Sequence, residues 1–265
     1  MTPPPELWAF PTAHLGQRAY VYDTLGSTND TAAALGADPA NGGLAVVARH
    51  QTAGRGTYGR VWASRPESSL LLSLILRPPA ALRRPVVLTA WAAVGVGDAV
   101  CELTGRTPRI KWPNDLLVGG RKVCGILIEQ SAAVVVGVGL NLTQTAEDFR
   151  AAGLPDATSL VLLSPPAAAR PLAEVLGVVL GHLDRRYGQL LGGTGEVEEA
   201  WRARSHLVGR RVAVEGPDGA AVAGSLRAMS FEAVELDCGE VVPQVWLPER
   251  VRGIRTLDGP GVNFP

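Results

Sequence analysis

An arginine- and glycine-rich segment, His50–Trp62, is the part of the chain best suited to bind an anion. It combines three glycines with Arg55 and Arg60 and contains no acidic residue. Glycines allow backbone N–H groups to line a concave anion site, and guanidinium groups offer paired donors to carboxylate or phosphate oxygens. The segment therefore predicts a loop that binds a phosphate or a carboxylate.

The lysines form a second chemical feature. Only two of the 25 basic residues are lysine, namely Lys111 and Lys122. An ammonium group is a compact point charge on a flexible stem, which the flat fork of arginine does not reproduce. Coincidence in an arginine-rich composition is the alternative interpretation. However, both lysines fall on one predicted hairpin and its approach strand, which coincidence does not predict.

The motif Lys111-Trp-Pro-Asn-Asp115 places a cation, an aromatic ring and two polar side chains next to a proline bend. The alternative interpretation of its last four residues is a strand that ends in an Asn-Asp turn. Lys122 follows on the return strand of a hairpin whose turn is Gly119-Gly120. The pattern indicates a site in which lysine charge is placed locally.

Two familiar modes of nucleotide binding are excluded. Gly54-Arg-Gly-Thr-Tyr-Gly59 has the spacing of the dinucleotide-binding glycine motif, which needs a helix directly afterwards and an acidic residue about 20 positions on. The next element is predicted to be extended, and positions 73–84 contain no acid. The chain also has no P-loop motif.

The elements that position these segments alternate between strands and helices. Periodicity and turn residues predict strands at 44–50, 69–77, 108–112, 115–118, 121–129 and 133–142, and helices at 31–35, 85–103, 170–191 and 196–204. Ser27, Thr28 and Asn29 are predicted to cap the first helix, after a loose Pro-rich arm over residues 1–20. From Leu207, short β runs predict a small β-barrel. We therefore expect an α+β domain over 1–206 and a barrel over 207–265.

Composition limits the class of protein. With 46% hydrophobic residues and a formal net charge of zero, the chain is typical of globular proteins and not of proteins with a broad nucleic-acid-binding surface. Its apolar stretches are interrupted before they reach the length of a membrane span. The three cysteines lack metal-ligand spacing and are expected to be reduced core residues. Because we find no signal peptide, we expect a cytoplasmic protein.

Five motifs resemble those of biotin protein ligases in order and in spacing, most closely over residues 22–145. They are Ser27–Asn29, Gln51–Trp62, Lys111–Asp115, Gly120–Glu129 and Gly137–Asn141. The resemblance implies a mixed central sheet with flanking helices, like that of class II synthetases and lipoate ligases, and a C-terminal SH3-like barrel. It implies that biotin and ATP form biotinyl-5′-AMP and pyrophosphate. Biotin then passes to one lysine of a biotin carboxyl carrier protein domain.

The resemblance also implies roles for individual residues. Biotin would be bound by Ser27, Thr28, Asn29, Gln51, Arg55, Gly56, Thr57, Lys122 and Gly125. ATP and the adenylate would be bound by Arg55, Arg60, Trp62, Lys111, Asn114, Lys122 and Asn141. Lys122 and Arg55 would be catalytic residues, because their positive charge would stabilise the reacting anions. Asp115 would orient or deprotonate the acceptor amine, with a purely structural role as an equal alternative. Mg²⁺ would arrive with ATP, near Asn114, and no residue is assigned as a metal ligand.

Three alternatives remain open at this point. A lipoate ligase shares the scaffold and the adenylate chemistry, although the motif at Lys111–Asp115 and the arginine-glycine loop favour biotin. A biotin-responsive repressor requires an N-terminal helix-turn-helix, for which about 20 residues are too few, so we expect no nucleic-acid binding. A module that merely sequesters biotin is disfavoured because all the reactive residues are present. No membrane partner is expected, and the chain is predicted to be a monomer or a weak homodimer.

One position departs from the family's pattern. Many relatives have a second arginine where this chain has Thr57, within Gly54-Arg-Gly-Thr57. The loss of a guanidinium group predicts weaker retention of the intermediate, unless the side chain at this position points to solvent.

Overall fold

The computed structural model describes residues 5–257, and eight strands form its main sheet. They are β1 (Glu6–Ala9), β2 (Arg18–Leu25), β3 (Ala45–Gln51), β4 (Ser69–Leu76), β5 (Arg109–Lys111), β6 (Asp115–Val118), β7 (Arg121–Gln130) and β8 (Val134–Asn141). Their order is β1-β2-β3-β4-β8-β7-β6-β5. Strands β2 and β3 run parallel and the other neighbours run antiparallel. The sheet is therefore mixed, as predicted.

Helices cover both faces of this sheet. They are α1 (Thr28–Leu35), α2 (Pro85–Thr104), α3 (Ala146–Ala151), α4 (Leu160–Leu163), α5 (Pro165–Ala168), α6 (Leu172–Gly192) and α7 (Gly195–Ser205). Short 3-10 turns lie at Pro39–Asn41, Thr57–Gly59, Ala80–Leu82 and Pro248–Arg250. Helix α1 packs on β3, β4 and β8, whereas α2 packs on β7 and against α6 and α7. The strands of the main sheet thus lie between two layers of helices.

Strand β4 shows how the sheet divides the core. All eight of its residues are buried, and alternate residues of a strand point to opposite faces. Leu70, Leu72 and Leu74 join the apolar cluster on the α2 side, while Ile75 joins the cluster that includes Ala32 of α1. A strand covered on both faces needs an almost continuous apolar run, which is what this sequence has.

Helix α2 lies in the centre of the larger cluster. It begins with Pro85 and ends at Gly105, whose φ of 66° suits glycine. By length and hydropathy it could cross a membrane, but 72% of its most apolar window is buried inside the fold. Near its C-terminal end, the Asp98 carboxylate binds Arg185 and Arg186 of α6 and Arg204 of α7. The apolarity of α2 is therefore that of a core helix.

Five further strands form an antiparallel C-terminal sheet. They are β9 (Arg211–Glu215), β10 (Ala221–Met229), β11 (Val234–Asp237), β12 (Gln244–Trp246) and β13 (Gly253–Thr256), in the order β12-β11-β10-β9-β13. Trp201 packs between Trp112 and Phe231, and the Trp112 indole donates to the Val251 carbonyl at 3.0 Å. One apolar cluster thus joins both sheets. Closure into an SH3-like barrel and a domain boundary at 206/207 stay predictions.

The loose N-terminal arm is a wrong prediction for the described residues. Strands β1 and β2 pair antiparallel at the edge of the main sheet. Between them, the backbone N–H groups of Ala13, His14 and Leu15 donate to the Asp184 carboxylate of α6, at 2.6 to 2.9 Å. This anchor is distant in sequence and has no local signal. Parts of the predicted arm and barrel, residues 1–4 and 258–265, lie outside the described range.

The other predicted strands and helices are confirmed with small shifts at their ends. Ser27 occupies the N-cap position of α1, but its side chain makes no capping hydrogen bond. Helices α3, α4 and α5, which are four to six residues long, were not predicted from the sequence. The three cysteines are free, as expected, but only Cys124 is fully buried, and burial raises the pKa of its thiol.

Candidate functional site

Two adjoining cavities bring most of the predicted site residues together. A narrow pocket lies on the α1 side of the main sheet, and a wide cleft lies between the main sheet and β13. Gly56, Trp62 and Lys122 belong to the walls of both cavities. A ligand that extends from the pocket into the cleft must therefore pass these three residues.

A hydrogen-bonded network of polar side chains forms the closed end of the pocket. The Thr28 amide and hydroxyl both donate to Gln51 Oε1, at 2.6 and 3.0 Å. Ser73 Oγ lies 2.7 Å from Thr28 Oγ1 and 2.6 Å from Asn29 Oδ1. Thr28 and Asn29 are about 95% buried, with 4% and 5% of their surfaces exposed, respectively. Buried polar groups of this kind can bind a ligand that carries both donors and acceptors.

Two glycines of β8 give this network and Trp62 their space. Gly137 pairs with Ser73 across the sheet, and Gly139 pairs with Gly125 of β7. A Cβ atom at Gly137 would collide with the Asn29 amide, and one at Gly139 would collide with the Trp62 indole. The Trp62 indole nitrogen is itself buried without a hydrogen-bond partner among the described residues.

The arginine-glycine loop forms one wall of the pocket through Arg55 and Gly56. Arg55 donates to both Asp30 oxygens at 2.7 and 2.8 Å and to Glu129 at 3.1 Å. The hydrogen bond that Arg55 donates to Asp30 is the main cause that raises the Arg55 pKa, against the opposing effect of burial. The same contact holds the pKa of Asp30 below its ordinary value. The arginine that the sequence predicts to bind an anion is thus paired with two carboxylates from other elements.

The tip of the same loop contacts the C-terminal sheet. Arg55 and Val61 form an isolated β-bridge, and Tyr58 lies between them with a positive φ of 59°. The guanidinium carbon of Arg252, next to β13, lies 4.9 Å from the centre of the Tyr58 ring. At this distance a cation and an aromatic face attract each other. The loop is therefore held from the pocket side and from the C-terminal side.

Lys122 is fixed at the junction of the two cavities. Its backbone N–H donates to Asp156 and its carbonyl accepts from Thr158, at 2.7 and 2.8 Å. Its Nζ lies 2.6 Å from Asp115 Oδ1 and 5.5 Å from the centre of the Trp62 ring. Gly119 and Gly120, both with positive φ, make the tight turn that brings β7 back along β6. The predicted hairpin is confirmed.

Lys111 adds a second ammonium group to the wall of the cleft. Burial is the main cause that lowers its pKa, and Lys122 and Arg60 lower it further, against Asp115 and Asp156. A concentration of positive charge in a partly desolvated cleft favours a phosphate-bearing ligand.

The structure separates some residues from the cavity that the resemblance implied for them. The pocket wall includes Ser27, Thr28, Asn29, Gln51, Arg55, Gly56, Lys122 and Gly125, but not Thr57, which lies in the cleft wall. The cleft wall also includes Arg60, Trp62, Lys111, Asp115 and Asn141.

Two predicted nucleotide-binding residues lie outside the cleft wall. Arg55 belongs to the wall of the pocket, and Asn114 belongs to neither cavity. Asn114 Nδ2 donates to the Ile126 carbonyl at 2.6 Å, which joins the cis Trp112–Pro113 turn to β7. Asn141 lies in the cleft wall and donates to the Thr158 carbonyl at 2.9 Å. The ligand contacts implied for these residues stay predictions.

Sequence reasoning missed Asp30, Ser73 and Glu129 as members of the site. Ser73 had a signal, since it is a polar residue within the apolar run of β4. Asp30 and Glu129 had none, because their partner Arg55 is 25 and 74 positions away.

The described part of the chain offers no dedicated metal site. No group of three or more His, Cys, Asp or Glu residues within 5–257 is arranged to hold an ion. Magnesium prefers oxygen ligands and is commonly bound through substrate phosphates. The residues present thus fit Mg²⁺ only as an ion that is bound mainly by the phosphates of a nucleotide.

The chain is similar to known proteins over the segment that carries most of these residues. The model of the biotin/lipoate A/B protein ligase family matches residues 21–141. The chain is 37% identical over 217 residues to the biotin--[acetyl-CoA-carboxylase] ligase of Mycobacterium tuberculosis, covering 77% of this chain and 78% of that protein. It is 39% identical over 174 residues to the bifunctional ligase/repressor BirA of Bacillus subtilis, covering 63% of this chain. That match spans only about half, 52%, of the Bacillus protein.

The fold agrees with solved structures as well. The biotin protein ligase from Aquifex aeolicus, in complex with biotin and ATP, superposes with a TM-score of 0.73 at 25% identity. The match covers 90% of this chain and 98% of the Aquifex chain.

Proposed function

This chain belongs to the biotin protein ligases of the biotin/lipoate A/B protein ligase family, and we propose that it activates biotin with ATP and transfers it to a protein. The observation that carries the proposal is the place of Lys122, whose side chain belongs to both the pocket and the cleft. Biotin in the pocket and ATP in the cleft would meet at this ammonium group.

The first step joins two anions. A carboxylate oxygen of biotin attacks the α-phosphorus of ATP, an acyl–phosphate bond forms, and the bond to pyrophosphate breaks. Fixed cations lower the repulsion between the two anions and stabilise the charge that develops. Lys122 supplies one such charge at the junction and Arg55 another at the pocket rim. Mg²⁺ bound to the ATP phosphates would neutralise further charge.

In the second step the ε-amine of an acceptor lysine attacks the acyl carbon, AMP leaves, and the amine loses a proton. Asp115 lies in the cleft wall, 2.6 Å from Lys122. Its carboxylate is a suitable group to orient that amine. We propose the biotin carboxyl carrier domain of a biotin-dependent carboxylase as the acceptor. We also propose a cytoplasmic location, which the free cysteines support.

The polar end of the pocket favours biotin over lipoate. The ureido ring of biotin carries two N–H donors and a carbonyl acceptor, which match the amide and hydroxyl groups of Thr28, Asn29 and Gln51. The dithiolane ring of lipoate has none of these groups, and it would leave the buried network without ligand partners.

The decisive experiment measures exchange of labelled pyrophosphate into ATP with biotin, with lipoate and with neither. Labelled acid is then followed onto a purified carrier domain. We expect exchange and transfer with biotin and neither with lipoate. Exchange driven by lipoate, or a chain that binds biotin without exchange, would contradict the proposed function.

A further inference from the structure

Arg55 is fixed at the rim of the pocket by two acidic residues. Asp30 belongs to the first turn of α1, and Glu129 lies near the end of β7. Arg55 donates through two nitrogens to the two oxygens of Asp30, at 2.7 and 2.8 Å. Such a two-point contact fixes the orientation of the guanidinium plane as well as its distance. One side chain of the loop is thereby joined to a helix and to the sheet.

The two acidic residues have different neighbours. Glu129 also accepts from Asn29 Nδ2 at 2.6 Å, so it belongs to the polar network of the pocket. Asp30 does not belong to the wall of either cavity, and 61% of its side chain is exposed. A change at Asp30 can therefore act on Arg55 without removing a group from the ligand-binding walls.

The contact matters more for the loop than for the fold. An exposed ion pair adds little to global stability. The loop, however, contains three glycines, which lose much conformational freedom when they are ordered. The opening of a loop with low local stability can depend on a single contact, even when that contact does not change the free energy of global unfolding. The hydrogen bond from Arg55 holds the pKa of Asp30 below its ordinary value.

We propose that Asp30 is a positioning residue of the reaction, which holds Arg55 across the pocket rim and so retains the acyl-adenylate until transfer. The inference rests on the proposed function, because it requires an acyl-adenylate in the pocket and cleft. Without the Asp30 carboxylate, Arg55 keeps its partner Glu129 but loses the contact that joins it to α1. The loop then opens more often, and the intermediate leaves sooner.

The test is the release of preformed biotinyl-AMP from the full chain carrying Asp30→Asn. This change keeps the size of the side chain and removes its charge. We expect release to be about twofold to fivefold faster than in the wild type, the upper value corresponding to the ~1 kcal/mol that an exposed ion pair can contribute. Pyrophosphate exchange at saturating substrates should fall by a similar or smaller factor, because Arg55 also contributes charge to adenylate formation. Asp30→Glu should restore slow release.

Asp23→Asn is the matched control. Asp23 is an exposed aspartate whose carboxylate lies 3.4 Å from Arg49, and it belongs to neither cavity wall. Its release rate should equal that of the wild type. In an Arg55→Lys background, Asp30→Asn should add little, because the residue through which it acts is already altered.

The outcomes separate this proposal from the one on which it rests. A wild type that forms no biotinyl-AMP overturns the proposed function. A wild type that forms and retains it, with Asp30→Asn releasing it at the same rate, overturns the positioning role alone. An equal acceleration in Asp23→Asn would do the same, since it would show a general effect of surface charge.

Discussion

The indole ring of Trp62 lies directly against the backbone of Gly139. A Cβ atom built on Gly139 would stand 2.5 Å from Trp62 Cε2, which is closer than real carbon atoms approach. The glycine therefore determines where the ring can lie, and the ring forms part of both cavity walls. This relationship makes the position of Trp62 testable without changing Trp62 itself.

We predict that Gly139→Ala displaces the Trp62 ring and raises the KM for biotin or ATP by about tenfold or more, because small displacements in a reactive site are costly. Biotin-dependent pyrophosphate exchange measures the effect. Gly181→Ala in α6 is the matched control, since a Cβ there meets nothing within 4 Å and alanine favours a helix. Equal KM values for both variants and the wild type would contradict the prediction.

Lys122→Met should reduce kcat/KM for adenylate formation by about a hundredfold or more while the chain stays folded, because it removes a charge needed at the reacting phosphate. Lys122→Arg should also be impaired, since a planar fork cannot reproduce a point charge 2.6 Å from Asp115. The exposed neighbour Arg121, changed to Met, provides the control. Near-normal turnover of Lys122→Arg would refute the argument from the scarcity of lysine.

Thr57→Arg should slow the release of biotinyl-AMP. Thr57 is half-buried in the cleft wall, so a guanidinium group at this position can reach a phosphate there. A charge-assisted hydrogen bond of about 1.5–3 kcal/mol would slow release by about one to two powers of ten. Thr52→Arg, at an exposed position outside both cavity walls, tests for a general effect of charge. Identical release rates in all three proteins would mean that position 57 faces solvent in the complex.

Asp98→Asn should destabilise the fold by up to about 3 kcal/mol, because it leaves the half-buried guanidinium groups of Arg186 and Arg204 without their carboxylate. Burial favours the neutral acid, but hydrogen bonds from Arg186 and Arg204 outweigh it and hold the pKa of Asp98 below its ordinary value. A carboxyl with a lowered pKa stabilises the fold above its unfolded-state pKa, near 3.9, and loses this effect as the pH falls through the folded-state value.

The free energy of unfolding, measured by urea titration at several pH values, checks this prediction. The difference between wild type and Asp98→Asn should be largest near neutral pH and should shrink below about pH 4. Asp23→Asn, which alters an exposed pair, should change little at any pH. A difference that stays constant down to pH 2 would exclude the ion-pair explanation.

Local sequence patterns predicted the parts of the site that depend on local structure. The Gly119-Gly120 turn set the hairpin that carries Lys122, and the apolar run of β4 predicted a buried strand. Contacts between distant segments were not predictable, because no periodicity links the partners. Glu129 binds Arg55 although the two residues are 74 positions apart, and Asp184 binds the loop at residues 13–15 from about 170 positions away. Asn114 shows a further limit of motif-based prediction. Its side chain lies in a motif that suggests ligand binding, but it donates a hydrogen bond to the backbone of the neighbouring strand β7.

Both lysines of the chain lie in the wall of the cleft, and the remaining 23 of its 25 basic residues are arginine. Guanidinium groups stay protonated and are poor nucleophiles towards activated acyl groups, whereas a free ε-amine reacts with them readily. The exterior of this protein consequently offers no side-chain amine for self-acylation. An acyl-adenylate that escapes from the site would therefore meet side-chain amines mainly on other molecules.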